Sequence, residues 1–474
     1  MRVVVVGGGI AGLATAYYLP RVAQEQGAAL DCTLVEAEGR LGGKVLTRRR
    51  AGFVVEGGPD CFLTQKPWAL ELCRSLGVED RFMGTNEASR KVRILWQRRL
   101  HLLPDGVMLI VPTRFAPFAF SGLISPLGKL RMALDLVVPP RRDEGDESVA
   151  DFIRRRLGAE ALDKIAEPLM GGVHVSDPER QSLLATFPRF REIERRHGSL
   201  VRGMLAARRA RRTTGVGKGL PTFMTLRGGL GELVDALEAQ TAGVRRLLGR
   251  RALAVRRDQA GEYAVRLDDG AELAADAVVL ATPAGAAADL VSPRMAELAA
   301  RLRSLRYVST ATVSLGYRRE SLPRPLDGFG FLVPGKQRRR ITGCTWTSTK
   351  FSDRAPQGHV LLRCFLGGPV DEAPALLPEE EMLAVAREEL REVMGLAAEP
   401  VLTEVFRWPN GHPQYDVGHM QWLAEVDRLC ALQPGLHLAG SSYRGVGLPD
   451  CIHSGAQAAE AVLRSLRAPV AASA

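Results

Sequence analysis

Six residues near the start, Gly7-Gly8-Gly9-Ile10-Ala11-Gly12, carry the spacing G-x-G-x-x-G directly after the apolar run RVVVV and open the helical run IAGLATAYYL. In that order Gly7 allows a tight turn, Gly9 lets bare backbone approach a pyrophosphate, and Gly12 lets helix pack on strand. The helix N-terminus then offers unpaired N–H groups and a positive dipole end to an anion. Glu36 closes the next strand at the distance where a carboxylate accepts hydrogen bonds from an adenosine ribose. Such residues break no bonds themselves; they hold a dinucleotide that carries the redox chemistry. No Ser/His/Asp set competes, and the eight histidines show no metal-ligand spacing, so His174 and His197 read as structural.

The elements that must position this motif are legible around it. RVVVV is continuous and β-branched, as in a parallel strand buried on both faces, and a second strand over 32–36 follows after the crossover a βαβ unit needs. Pro20 is expected to interrupt or kink the first helix. Runs over 92–96 and 99–103 predict a hairpin about Gln97-Arg98, although neither turn residue is the Gly or Asn that tight turns prefer. Helices are expected over 147–157, 160–170 and 379–394, and a hairpin followed by a buried strand over 267–281. Strands over 309–316, 329–333, 341–347 and 359–366 predict a mostly antiparallel sheet; a last strand over 436–440 and a helix over 450–463 flank the segment SSYRGVGLP.

At 474 residues the chain is long enough for two or three domains. Its 64 Lys+Arg against 53 Asp+Glu give +11, which invites an anionic partner. Arginine and alanine are abundant and lysine scarce, however, as GC-rich coding alone produces. The basic run 189–212 reads either as a solvated helix face or as a surface on lipid headgroups, and the apolar stretch 102–140 before it is too short of uninterrupted apolar residues to span a bilayer. No recognisable motif supports nucleic acid. Seven scattered cysteines without C-x-x-C argue for reduced thiols in a cytosolic protein, and the strand-like start leaves no room for a signal peptide.

Beyond Glu36 the sequence continues Ala37-Glu38-Gly39-Arg40-Leu41-Gly42-Gly43-Lys44. This resembles the extended FAD fingerprint of the flavin-dependent amine oxidase superfamily, and the resemblance implies Arg40, Gly42, Gly43 and Lys44 along the diphosphate and flavin. Glu56-Gly57-Gly58-Pro59-Asp60 resembles the segment where that superfamily brings backbone to the isoalloxazine ring. The C-terminal block Ala439-Gly440-Ser441-Ser442-Tyr443-Arg444-Gly445-Val446-Gly447-Leu448-Pro449-Asp450, with Phe406-Arg407-Trp408-Pro409, is similar to oxygen-dependent protoporphyrinogen oxidases and the related coproporphyrinogen oxidases. Nearly the whole chain shares the likeness, including Gly171-Gly172-Val173-His174 and Gly328-Phe329-Gly330-Phe331-Leu332-Val333-Pro334.

The resemblance implies an α/β fold: a discontinuous Rossmann-like FAD domain (1–86, 222–300 and 405–474), a mixed or antiparallel substrate sheet (87–103 and 301–404), and a helical membrane-associating lobe (104–221). It implies FAD held by Gly7 to Gly12, Glu36, Ala37, Arg40, Gly42 to Lys44, Gly57 to Asp60, Arg251, Trp408, Gly440, Val446, Gly447 and Leu448. Leu332 and Phe365 would clamp a tetrapyrrole, with Gly172 facing its nitrogens. Thr345 stands where a second apolar clamp residue is expected, Ser176 replaces a glycine, and Arg251 a valine at a backbone contact to adenine. A family arginine for a substrate propionate aligns with Val92, leaving Lys91 and Arg93 as candidates for that contact. A helix starting near Asp450 would favour charge at the flavin, and Asp450 reads equally as an N-cap.

The expected activity is oxidation of protoporphyrinogen IX to protoporphyrin IX, with dioxygen or a quinone as acceptor. Oxidation of coproporphyrinogen III is the nearest alternative, and an amine oxidase or carotenoid desaturase the more distant one. The expected setting is cytoplasmic, peripheral to the inner membrane face, with a homodimer left open and no nucleic acid.

Overall fold

The computed structural model describes residues 1–104, 107–108, 111–112, 118, 120–214, 220–292 and 294–467. The glycine run 215–219, part of the stretch 102–140, and the side chains of His174, Arg208, Arg211 and Arg212 lie outside the described residues.

A five-stranded sheet is assembled from distant parts of the chain. Its order is Arg245–Leu248, Asp31–Glu36, Arg2–Val6, Ala277–Leu280 and Leu436–Leu438, all parallel. The central strand is apolar on both faces because both are covered. On one side the helices Ile10–Glu25 and Leu448–Arg467 lie against each other so closely that a Cβ at Gly455 would overlap the carbonyl of Ala11. On the other side sit a three-stranded antiparallel sheet and the helices Ala284–Val291, Ala296–Arg303 and His419–Ala431. Of the expected interruption or kink at Pro20 the first is absent, since the first helix continues through the proline, with Tyr17, Leu19 and Ala23 buried on either side of it.

The second large sheet has seven strands, in the order Leu402–Pro413, Tyr307–Arg318, His359–Gly367, Ile341–Trp346, Gly330–Leu332, Val92–Trp96 and Arg99–Leu102. It is antiparallel except where Gly330–Leu332 meets Val92–Trp96. The fold is therefore α/β with a parallel and a mixed sheet. The hairpin turn forms with Gln97 and Arg98 both at positive φ (49° and 62°), and the Gln97 amide donates to Gln337 Oε1 at 2.9 Å. A tertiary hydrogen bond thus supports a turn that local propensity alone disfavours. One face of this sheet packs on the helix Glu379–Met394 through Val313, Phe331, Cys344, Cys364 and Leu390.

Helices Val149–Leu157, Glu167–His174, Pro188–His197 and Leu200–Thr214 enclose a separate core of Phe152, Ile153, Leu162 and Phe190. The basic run proves to be neither wholly solvated nor wholly free for lipid. Arg191 is buried between Glu147 and Glu194 (3.2 and 3.1 Å), and Arg195 pairs with Glu144. The reason is local: a helix that supplies Phe190 and Ile193 to the core also turns the intervening Arg191 inward, where Glu147, Glu194 and the Asp143 carbonyl accept its hydrogen bonds. Among the described residues no helix is long and apolar enough to cross a membrane.

Candidate active site

One cavity of about 1590 Å³ runs from the C-terminal edge of the parallel sheet to the open face of the seven-stranded sheet. At its nucleotide end the glycines divide their tasks. Gly7 takes φ 106°, and a side chain there would press on Ala281 O at 2.8 Å. Gly12 is unable to carry a Cβ at all, because it would overlap the carbonyl of Gly7. Gly9 is the opposite case: nothing lies within 4 Å of where its Cβ would be, and with Ile10 and Ala11 it lines the cavity. Gly8 faces away and holds the wall together, its amide donating to Glu36 Oε2 at 2.6 Å and its carbonyl accepting from Gly42 at 2.8 Å. Glu36 Oε1 meanwhile accepts from the Glu38 amide at 2.7 Å, so the carboxylate is fixed on both oxygens.

The wall continues through Ala37, Arg40, Gly42, Gly43 and Lys44. Gly42 and Gly43 are left-handed (φ 95° and 55°), which keeps this backbone within reach of Gly9. Arg40 pairs with Glu38 at 3.2 Å. Lys44 reaches the carbonyl of Gly411, and burial holds its ammonium below the usual lysine range. Arg251 lines the cavity next to this segment, the amide of Arg250 donating to Glu36 O and the Arg251 carbonyl accepting from the Asp268 amide, each at 2.9 Å.

In mid-cavity Gly57, Gly58, Pro59 and Asp60 pass beneath the seven-stranded sheet. Gly57 O accepts from Trp408 Nε1 (2.9 Å) and Arg363 Nη2 (3.1 Å), and Gly58 O from the same guanidinium at 2.7 Å. Asp60 meets Lys350 Nζ at 2.7 Å. Burial alone would raise the Asp60 carboxyl, but Lys350 and Arg363 outweigh it and hold it below the usual range. Gly440 (φ 113°), Val446, Gly447 and Leu448 close this part from the C-terminal side. The last helix begins at Leu448, so Asp450 is in its first turn and is no N-cap; its carboxylate binds Lys66 Nζ at 2.6 and 2.7 Å. His412, against Thr310 Oγ1 at 2.9 Å, is held neutral by burial and by Lys44, its imidazolium pKa pushed down to about 3.

At the far end Leu332, Thr345 and Phe365 line the cavity with Gly172. Sheet register explains why they meet: Leu332 is opposite Gly343, Gly343 opposite Phe365, and Thr345 opposite Arg363, so all share one face by the two-residue alternation. The same alternation corrects the expectation for Lys91 and Arg93. Val92 is opposite Gly330 and so on the cavity face of its strand, which sends its neighbours to the other. There Lys91 binds Asp327 at 2.9 Å, and Arg93 contacts the Asp327 carbonyl and stacks 5.1 Å from the Trp346 ring centre; neither lines the cavity.

Lys66, Lys350, Arg363 and Glu167 are cavity residues that the sequence reading missed. A lone arginine at 363 within an apolar strand was the available signal; the other three carried none.

The residues fit FAD. A fixed carboxylate at Glu36, the empty space over Gly9 beside a helix N-terminus, and backbone-lined walls at Gly42–Gly43 and Gly57–Gly58 are what an adenosine ribose, a pyrophosphate and a flat ring system require.

Comparison with known proteins agrees. The family model for flavin containing amine oxidoreductases matches residues 10–463. Coproporphyrinogen III oxidase of Bacillus subtilis is 37% identical over 472 residues, covering 98% of each chain. Chloroplastic protoporphyrinogen oxidase 1 of Arabidopsis thaliana is 30% identical, covering 95% of this chain and 85% of its own. The crystal structure of a protein from Exiguobacterium sp. 255-15 matches with a TM-score of 0.86 at 33% identity, covering 98% of each chain. The chain belongs to the flavin containing amine oxidoreductase family and is an FAD-dependent oxidoreductase.

Proposed function

We propose that the chain oxidises a porphyrinogen to the porphyrin, removing six electrons in three two-electron steps with dioxygen as acceptor and hydrogen peroxide as product. The observation that carries this is a single cavity joining a dinucleotide cradle to an apolar cleft, in a chain whose near relatives are named for porphyrinogen oxidation. Bound FAD supplies the hydride acceptor. The protein's part is to hold the macrocycle against Leu332 and Phe365, with Thr345 and Gly172 bounding the cleft, and to exclude water from the reacting carbons.

Coproporphyrinogen III is the favoured substrate, ahead of the protoporphyrinogen IX that motif resemblance alone put first. Bacterial relatives at 37%, 36% and 34% identity carry the coproporphyrinogen name. Arg338 and Arg340 also line the cavity without an ion pair among the described residues, which suits a substrate bearing propionates where protoporphyrinogen bears vinyl groups. Porphyrin fluorescence appearing from each porphyrinogen tests the choice, and faster turnover of protoporphyrinogen would reverse it.

In this reading segments 1–86, 222–300 and 405–474 bind FAD, 87–103 and 301–404 bind substrate, and 104–221 form a lobe that rests on the cytoplasmic membrane face. Leu127, Leu130 and Leu134 are exposed at helical spacing, next to exposed Val137 and Phe120, an apolar stripe suited to the headgroup boundary. Flotation with anionic liposomes tests the lobe: Leu127→Ser with Leu130→Ser should leave the protein at the bottom of the gradient, and equal flotation would refute the assignment.

A further inference from the structure

Helix Glu167–His174 starts where a π-helical turn, Leu162–Ala166, ends. Such a turn weakens the helical ladder and persists chiefly where a side chain has been re-aimed. The side chain that follows it is Glu167, which lines the cavity one helical turn before Gly171 and Gly172. Its two oxygens lie 3.1 and 3.3 Å from the amide of Gly335, just past the strand that carries Leu332. Glu167 is thus beside the apolar cleft, at the end of the cavity away from the nucleotide cradle.

The other carboxylates lining the cavity are mostly committed. Glu36 holds two amides, Glu38 pairs with Arg40, Asp60 with Lys350, Asp450 with Lys66 and Asp289 with Arg303. Among the described residues Glu167 has no cationic partner, and Asp371, which also has none, caps the Ala373 amide. Burial pushes the Glu167 carboxyl up to about 7, opposed by the Gly335 N–H and reinforced by the charges of Asp163 and Asp177. Of the charged groups around it, Asp163 is bound by Lys336 from the Gly335–Gln337 turn, and Asp177 caps the Glu179 amide beyond the helix end. A carboxyl so poised exchanges protons near neutral pH.

Resting on the porphyrinogen reading, we propose that Glu167 is the proton acceptor of this site, taking the pyrrole N–H proton that the substrate loses as a meso carbon gives up hydride. FAD held in the glycine-walled cradle would supply the acceptor for that hydride. The N–H electron pair stays on nitrogen as the ring and meso carbon form new conjugated C=N and C=C bonds, and an O–H bond forms on Glu167. The carboxyl then returns the proton to solvent past Gly335 and Val370, both of which line the cavity. Hydride and proton together account for the hydrogen that dioxygen carries off as peroxide.

Glu167→Gln keeps an acceptor for the Gly335 amide and removes the titration; Glu167→Asp keeps the carboxyl. Wild-type kcat/KM for coproporphyrinogen III, followed by porphyrin fluorescence from about pH 5.5 to 9, should fall below about pH 7 as the base is protonated. Glu167→Gln should be about 100-fold slower at pH 8 without that acidic limb, with unchanged flavin content, and Glu167→Asp should restore the limb. Independently of turnover, the infrared band of a protonated carboxyl should titrate near pH 7 in the resting wild type and be missing from Glu167→Gln. A Glu167→Gln enzyme with wild-type rate and limb, or an unaltered band, overturns the assignment. A wild type that oxidises neither porphyrinogen instead overturns the functional reading beneath it.

Discussion

The amide of Gly8 donates to Glu36 Oε2 at 2.6 Å, tying the phosphate turn to the carboxylate that ends the second strand. The Glu38 amide takes the other oxygen, so the Glu36 carboxylate faces the cavity with its rotamer already fixed, as a ribose contact would need. Glu36→Ala should therefore lose both the ribose contact and this preorganisation, weakening FAD binding roughly 10- to 100-fold. The ratio of flavin to protein absorbance after gel filtration measures it; full retention of flavin would contradict the role.

Gly9 and Gly12 belong to one motif but should fail differently. Gly9→Ala adds a methyl where no protein atom lies within 4 Å, at an ordinary φ of −66°, so the apo-protein should melt as wild type does while FAD binding drops. Gly12→Ala drives a methyl into the carbonyl of Gly7 and within 3.2 Å of the Ala281 side chain, so it should impair folding with or without FAD. Thermal melts of both variants, each with and without FAD, separate the two effects.

The turn at Gly7, the open space at Gly9 and the tight packing at Gly12 were legible because glycine spacing within one βαβ unit encodes that geometry directly, whereas Gly8, expected at the cofactor, bonds Glu36 instead. Contacts between remote segments had no such signal. Lys66 and Asp450 are 384 residues apart, and Trp408 donates to Gly57 across 351; both pairs depend on how remote segments pack together. Lys91 and Arg93 were misjudged for a different reason. Nearness to Val92 in sequence means the opposite face in a strand, and the Asp327 that neutralises Lys91 arrives from 236 residues away. The Pro20 helix shows the same limit, since the packing that overrides the proline is tertiary.

The Asp60–Lys350 pair in mid-cavity should behave as a unit. Lys350→Met leaves the Asp60 carboxylate, about 16% exposed, beside only Arg363, and should cost about 3 kcal/mol. Adding Asp60→Asn removes the stranded charge and should recover more than half of that loss. Urea unfolding of the two single variants and the double variant closes the cycle, and simple additivity would show the pair to be uncoupled.

The helical lobe should be the acid-sensitive part of the molecule. Burial would raise the Glu194 carboxyl, but Arg155 at 2.5 Å, with Arg156 at 3.5 Å, outweighs it and holds it below the usual range. A lowered folded pKa means the stabilisation is complete above the ordinary glutamate value and is lost as pH falls through the folded one. Arg155→Met should therefore destabilise the lobe by about 3 kcal/mol at pH 7 and raise the pH at which it opens. Hydrogen exchange along 147–205 as a function of pH reads this, with the parallel sheet as the internal control.

Gly172 and Leu332 meet along one side of the cleft, where a Cβ on Gly172 would come within 2.9 Å of Leu332 Cδ2. That methyl group belongs to a half-buried side chain that packs on the helical core and bounds the cavity, so it yields by swinging into the cavity. Gly172→Ala should accordingly leave folding and flavin content alone while raising KM for the porphyrinogen severalfold, an effect on the order of 1 kcal/mol. Leu332→Ala alone removes one wall and should also raise KM, by loosening the ring. Combined, the two changes exchange a methyl on the helix for space on the strand, and the double variant should bind better than the sum of the single losses allows. Steady-state kinetics on the four proteins decides it: strict additivity in KM would mean that the two residues do not act on the same part of the substrate.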